Sequence, residues 1–141
     1  MPVVSGSSGR GVATSLAPLI GMQYIELESR RFPDGEGYVR VPSDAIDAIR
    51  SEPVVLVSNT YPDSGIVNTV LLLEAIADVR RGDLSNLKGE EPQSMEDVGS
   101  GIYLAIPYYG YSRQDKRFSK GEAVSARVIA EILGRTCDGI A

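Results

Sequence analysis

The apolar run Val54-Val55-Leu56-Val57 constrains the fold of this chain more than any other feature. It is entered through Pro53 and left through Ser58-Asn59-Thr60-Tyr61-Pro62, so it has the length of a strand but no polar alternation. Strands of that kind are buried on both faces, as in a parallel sheet covered by helices. A second such strand, Ile102-Tyr103-Leu104-Ala105-Ile106, is expected to be buried and stops at Pro107. Each is followed by a loop and then by apolar residues at helical spacing, the alternation of an α/β layer fold.

The remaining elements follow in order. Val3-Val4 reads as a short strand, and Ser5-Gly6-Ser7-Ser8-Gly9 as a turn. A helix is expected from Arg10 to Ile20, with Val12, Leu16 and Leu19 on its inner face and Gly21 as terminator. A Gly/Ser turn between strand and helix can cradle phosphate. This one lacks the Walker lysine and the G-x-G-x-x-G spacing, so a plain strand-to-helix turn is the simpler reading. Met22 to Glu28 reads as a strand. Pro33-Asp34-Gly35 is turn chemistry, and Tyr38-Val39-Arg40-Val41 alternates like the second arm of a hairpin. Asp63 or Ser64 is expected to cap a helix running to Val79. Its main face is Ile66, Val70, Leu73 and Ala77, while Leu71, Leu72 and Ile76 make it apolar nearly all round, the mark of a buried or interface helix. Arg81 to Gly101 reads as an acidic, mobile surface excursion without chemistry. Ser119-x-x-Glu122 fits a capping box for a last helix carrying Val124, Val128, Ile129, Ile132 and Leu133 and ending at Gly134. Cys137 to Ala141 begins a final strand. The predicted order is β-α-β-β-β-α-β-α-β: one α/β domain over residues 1–141, a mostly parallel sheet with helices on both faces.

Composition narrows the function. With 43% hydrophobic and 23% charged residues, the chain is an ordinary globular one. A net charge of −5 argues against a basic nucleic-acid surface, and no apolar run has membrane-spanning length. The single cysteine, Cys137, excludes an internal disulfide and reads as a small packed residue rather than a nucleophile. Ser5 to Gly9 interrupts any signal-peptide pattern, so the expected location is cytoplasmic. Histidine is absent, which removes His acid–base chemistry and His metal ligation from these residues.

Against that acidic background, Tyr103 to Arg127 holds five basic residues (Arg113, Lys116, Arg117, Lys120, Arg127) and two acidic ones, Asp115 and Glu122. A phosphate-bearing ligand would account for the local excess; a solvated loop is the alternative. The hairpin loop likewise places Phe32, two arginines and two carboxylates, Asp34 and Glu36, within seven residues. That is either a plain hairpin or a surface on which a base can stack and hydrogen-bond.

Two motifs carry a resemblance. Arg31-Phe32-Pro33-Asp34-Gly35-Glu36 and Pro107-Tyr108-Tyr109-Gly110-Tyr111-Ser112-Arg113-Gln114-Asp115-Lys116 resemble, in order and spacing, the N-terminal half of ribose-phosphate pyrophosphokinase (phosphoribosyl pyrophosphate synthetase). Val4-Ser5-Gly6-Ser7 fits as well, and Gly121-Glu122-Ala123-Val124-Ser125 is similar to the archaeal branch. The resemblance implies a phosphoribosyltransferase-like domain and transfer of ATP's β,γ-diphosphoryl group to the 1-hydroxyl of ribose 5-phosphate, with Mg²⁺. It implies that the Phe32 loop reaches the ATP of a neighbouring subunit in a homo-oligomer. Phe32 would stack on adenine, Asp34 and Glu36 would hydrogen-bond the base, and Gly35 would shape the loop. Arg113 and Gln114 would contact the nucleotide, with Asp115 and Lys116 beside them.

The pattern is also incomplete. The family's Mg²⁺-binding histidine, its loop with the catalytic lysine, and its ribose 5-phosphate and diphosphate regions have no counterpart in these residues. The chain is therefore expected to hold no catalytic or metal-ligating residue of its own, and to act as the N-terminal ATP-site and assembly domain, inactive alone. The rival readings are a non-catalytic regulatory subunit that co-assembles with full-length synthetase, and an unrelated α/β nucleotide-binding module.

Overall fold

The computed structural model describes residues 1–82, 84 and 101–141. In chain order the elements are β1 (Val3–Ser5), α1 (Arg10–Leu19), β2 (Tyr24–Glu26), β3 (Glu28–Arg31), β4 (Gly37–Arg40), a 3-10 turn (Ser43–Ala45), α2 (Ile46–Ser51), β5 (Val54–Val57), α3 (Asp63–Arg81), β6 (Ile102–Ala105), α4 (Ser125–Leu133) and β7 (Gly139–Ile140). The acidic excursion expected at Arg81–Gly101 falls mostly outside the described residues.

Five strands form one sheet of order β2-β1-β5-β6-β7, and every neighbouring pair is parallel. Parallel neighbours need long crossovers, which α1, α3 and α4 supply in turn. β3 and β4 form a separate antiparallel hairpin. The α/β architecture with helices on both faces is as expected. On one face Val4, Val54, Leu56, Ile102 and Leu104 pack against Leu72, Leu73 and Ile76 of α3, Ile49 of α2 and Leu133 of α4. On the other, Val3 and Val57 pack against Ala13 and Ala17 of α1. Burying a side chain such as Leu72 or Ile76 contributes about 1.5–3 kcal/mol relative to leaving it in water.

Several local expectations are corrected. The inner face of α1 is Ala13 and Ala17, whereas Val12 and Leu19 are exposed and Leu16 is half-buried. A Cβ on Gly9 would lie 1.9 Å from the Val57 carbonyl oxygen, so the helix starts in backbone contact with the sheet and leaves room only for alanine beneath it. In α3 the buried face is Thr69, Leu72, Leu73, Ile76 and Ala77, and Ile66 and Val70 are half-buried. Both the hairpin and α2 pack on this helix and turn its buried side toward them. Its N-cap is Pro62, with no side-chain cap. The strand expected at Met22–Glu28 is broken at Leu27, a fully buried residue whose N–H donates to the Ser5 carbonyl at 2.9 Å before the chain enters the hairpin. The short α2 has no counterpart in the predicted order.

The last helix begins at Ser125, not at Ser119. Glu122 does accept the Ser119 N–H at 3.0 Å, and that of Phe118 at 2.7 Å, but it closes a loop rather than opening a helix. These two bonds hold its carboxyl below the usual range. Tyr103, expected to be buried, is 45% exposed, because α1 covers β1, β2 and β5 and stops short of β6. Cys137 is packed at the core's edge, its thiol donates to the Leu133 carbonyl at 3.2 Å, and burial raises its pKa, as suits a structural residue.

Two polar groups tie the elements together. The buried Arg80 guanidinium donates to the carbonyl oxygens of Ile49 (2.8 Å) and Glu52 at the end of α2. Asp138 accepts the N–H groups of Gly101 and Ile102 (2.9 Å for the latter), which hold its carboxyl below the usual range. No helix among the described residues is long and apolar enough to cross a membrane.

Candidate functional site

The carboxyl ends of β1, β2, β5 and β6 share one edge of the sheet because all are parallel. Between β1 and β5 the chain reverses the direction in which it adds strands, the place where open α/β sheets bind ligands. The loops after β1 (6–9), β5 (58–62) and β6 (106–124) and the β3–β4 hairpin all stand at this edge.

One polar dipeptide joins three of them. Asn59 donates from Nδ2 to the Ser8 carbonyl at 2.8 Å, and its Oδ1 accepts the Tyr108 N–H at 3.0 Å. Thr60, 1% exposed, donates its N–H to the Tyr108 carbonyl at 3.2 Å, and its Oγ1 accepts the Gly110 N–H at 2.7 Å. Gly110 is required there: a Cβ would sit 2.3 Å from the Thr60 carbonyl oxygen. Beneath them Ser58 exchanges a 2.8 Å hydroxyl hydrogen bond with Thr69 of α3. Sequence reading saw only a loop here. The available signal was its position, polar residues directly after a strand buried on both faces.

The hairpin loop is built by its own chemistry. Asp34 Oδ1 accepts the Glu36 N–H at 3.1 Å, the Gly35 N–H donates to the Phe32 carbonyl at 2.9 Å, and the Phe32 N–H donates to the Glu36 carbonyl at 2.8 Å. Gly35 has φ of +95°, which other residues adopt only with strain. Arg31 Nη1 donates to the Gly35 carbonyl at 2.7 Å. The Phe32 ring stands edge-on to Tyr38 at 5.7 Å, with the Arg30 guanidinium 5.0 Å from one ring centroid and 4.1 Å from the other. Phe32, Asp34 and Glu36 are exposed at the tip.

Between this hairpin and the start of α3 lies a cavity of about 700 Å³ lined by Ser7, Ser8, Arg30, Arg31, Tyr61 and Pro62, among others. The Tyr61 ring meets Tyr108 edge-on at 5.6 Å. Arg113, Gln114, Asp115 and Lys116 lie outside the cavity wall, in the loop leading from β6 to α4. The Gln114 N–H donates to the Tyr111 carbonyl at 2.9 Å, and its carbonyl accepts the Ala126 N–H at 3.3 Å. Among the described residues, the Arg113 guanidinium has no hydrogen-bond or ion-pair partner, and Lys116 Nζ lies 5.4 Å from the Phe118 ring centroid. Within the chain, no hydrogen bond, ion pair or ring contact joins residues 32–36 to residues 113–116. The two predicted clusters share an edge but not a pocket.

Comparison with known proteins identifies the type of domain. Residues 97–136 match the family described as the N-terminal domain of ribose phosphate pyrophosphokinase. Ribose-phosphate pyrophosphokinase of Saccharolobus solfataricus is 36% identical over 135 residues, covering 94% of this chain and 39% of the relative. The chain is homologous to the N-terminal part of ribose-phosphate pyrophosphokinases. The pyrophosphokinases of Methanothermobacter thermautotrophicus and Thermoplasma acidophilum are 34% and 30% identical over 93% and 100% of the chain. Against these curated pyrophosphokinases the chain spans about two-fifths of their length (39% to 42%). The crystal structure of phosphoribosylpyrophosphate synthetase from Mycobacterium smegmatis shares the fold with a TM-score of 0.68 at 19% identity, covering 98% of this chain and 40% of that one.

Among the described residues, no three His, Cys, Asp or Glu side chains gather where they could hold a metal ion. The described residues therefore offer no three-ligand cluster for Mg²⁺.

Proposed function

We propose that this chain is the ATP-contacting and assembly domain of a ribose-phosphate diphosphokinase, the activity that makes phosphoribosyl pyrophosphate and AMP from ATP and ribose 5-phosphate. The observation that carries the reading is similarity to named pyrophosphokinases along nearly the whole chain, at 36% identity over 135 residues in one case. The geometry supports it. Arg113 and Lys116 are exposed cations without competing carboxylate partners, placed at the ligand-binding edge of the sheet. Gln114 and Asp115 offer hydrogen-bonding groups beside them. The Phe32 ring is 39% exposed at the tip of a preorganised hairpin, free to stack, with Asp34 and Glu36 flanking it. Because the two clusters do not meet within a chain, the hairpin of one copy completes the nucleotide site of another in a homo-oligomer. Mg²⁺ would arrive with the ATP phosphates and take its protein ligands from elsewhere. Ribose 5-phosphate binding and the transfer step belong to parts of the enzyme outside these residues.

The test is ATP titration of the purified chain, unaltered and carrying Phe32→Ala or Arg113→Ala. Loss of a stacked ring or a phosphate-facing guanidinium each weakens binding about tenfold. Full affinity in Phe32→Ala would leave only a generic nucleotide-binding module. The unaltered chain, given MgATP and ribose 5-phosphate, is expected to form no phosphoribosyl pyrophosphate; turnover above blank would overturn the assignment of the transfer step elsewhere.

A further inference from the structure

Tyr111 is the one non-glycine residue with positive φ, +63°, among the described residues. Such a backbone costs about 1 kcal/mol or more and persists only where surrounding bonds enforce it. Two bonds do so here. The Tyr111 hydroxyl donates to Asp63 Oδ1 at 2.7 Å, tying the loop to the first turn of α3, and the Tyr111 carbonyl accepts the Gln114 N–H at 2.9 Å. The second bond closes the tight turn 111–114 that presents Arg113. On its far side the Gln114 carbonyl takes the Ala126 N–H at the start of α4. The root of the same loop is fixed at Tyr108 and Gly110 by Asn59 and Thr60. Remove the Tyr111–Asp63 bond and the turn keeps its root and its α4 contact, but loses the tie that holds the left-handed residue before Arg113.

We propose that Tyr111 and Asp63 form a latch that positions Arg113 for nucleotide binding, Tyr111 being a positioning residue that acts through Arg113. This rests on the nucleotide-site reading above. The bond also holds the phenol in its protonated, donating form, since the Asp63 carboxylate beside it raises the Tyr111 pKa. Asp63 has no cap to make in exchange: helix α3 has no side-chain cap, so its carboxylate is committed to the tyrosine.

The experiment measures ATP affinity of the intact chain and of Tyr111→Phe, Asp63→Asn, the two combined, and Tyr111→Phe in an Arg113→Ala background, with denaturation midpoints alongside. Tyr111→Phe removes one exposed hydroxyl and keeps the ring. The latch predicts that each single change weakens ATP binding about fivefold, the scale of one charge-assisted hydrogen bond at a partly solvated site. The pair together should weaken it no further, and Tyr111→Phe should have no effect once Arg113 is alanine. Unchanged affinity in Tyr111→Phe, while the unaltered chain binds ATP, overturns the latch alone. An undiminished effect in the Arg113→Ala background overturns the route through Arg113. Absence of ATP binding by the unaltered chain overturns the nucleotide reading and this inference with it.

Discussion

Residues 32–36 and residues 107–116 stand near the same edge of the sheet, yet they are shaped by different kinds of information. The hairpin tip closes on itself: Asp34, Gly35 and Glu36 bond to residues at most a few positions away, and Phe32 rests on Tyr38 two positions beyond the turn. The second loop is shaped by partners far along the chain. Asn59 and Thr60 fix its root, Asp63 its middle and Ala126 its far end. A locally coded loop keeps its form wherever it projects, which would suit the contact with another copy proposed for this tip. A tertiary-coded loop is only as well formed as the domain beneath it, so damage to the core transmits to its arginine.

The largest break in this contrast is expected from glycine substitutions. Gly110→Ala drives a Cβ to 2.3 Å from the Thr60 carbonyl, and the two loops must part. A loss of about 3 kcal/mol or more is expected in urea unfolding, because backbone cannot yield as a flexible side chain does. Gly35→Ala meets open space and suffers only its φ of +95°, about 1 kcal/mol. Equal costs would show that the two loops are not held differently.

A smaller effect separates their hydrogen bonds. Thr60→Val keeps the side-chain shape but leaves the buried Gly110 N–H without its acceptor, costing about 1–3 kcal/mol. Asp34→Ala removes one solvated turn bond, and a loss below about 1 kcal/mol is expected in the same assay. A hairpin mutant as damaging as Thr60→Val would contradict the local coding.

The smallest expected effect is on pH. Hydrogen bonds from the Phe118 and Ser119 N–H groups lower the Glu122 pKa, so its contribution is complete above the ordinary carboxylate range, about pH 4.3. It is lost as pH falls through the lowered folded-state value. Protection of the Phe118 and Ser119 amides against hydrogen exchange should fall over that window and be low at neutral pH in Glu122→Ala. Protection that ignores both changes would mean the loop is held without Glu122.

The same division governs what was legible in the sequence. Val54–Val57 announced a parallel sheet, Pro33-Asp34-Gly35 a turn, and Gly21 and Gly134 the ends of helices, because each is a local signal of composition or φ. The inner face of α1 was misread, since only the contact between Gly9 and Val57 dictates that Ala13 and Ala17, not the larger Val12 and Leu19, face the sheet. Ser119 and Glu122 had the spacing of a capping box but were recruited into a loop. Asn59 and Thr60 carried no motif and Asp63 read as a helix cap, because their partners Ser8, Tyr108, Gly110 and Tyr111 lie far off in sequence. Resemblance marked Phe32 and Arg113 as candidate contacts, while nothing marked the residues that bond to the loop around Arg113.

The strand order has a consequence for how this domain comes into being. β1 lies in the sheet between β2 and β5, with Val3 beside Val55, and β5 in turn pairs with β6, Val54 beside Ile102. Among the described residues no strand of the sheet is paired through a hairpin, so each pairing closes a long stretch of chain before its bonds repay the lost entropy. β1 gains its second neighbour only when β5 has formed, and β5 gains its own only when β6 has. The β3–β4 hairpin closes over a short stretch of chain, whereas β1 can pair with β2 but lacks its other neighbour until β5 has formed, leaving one edge of this apolar strand in need of shelter until then.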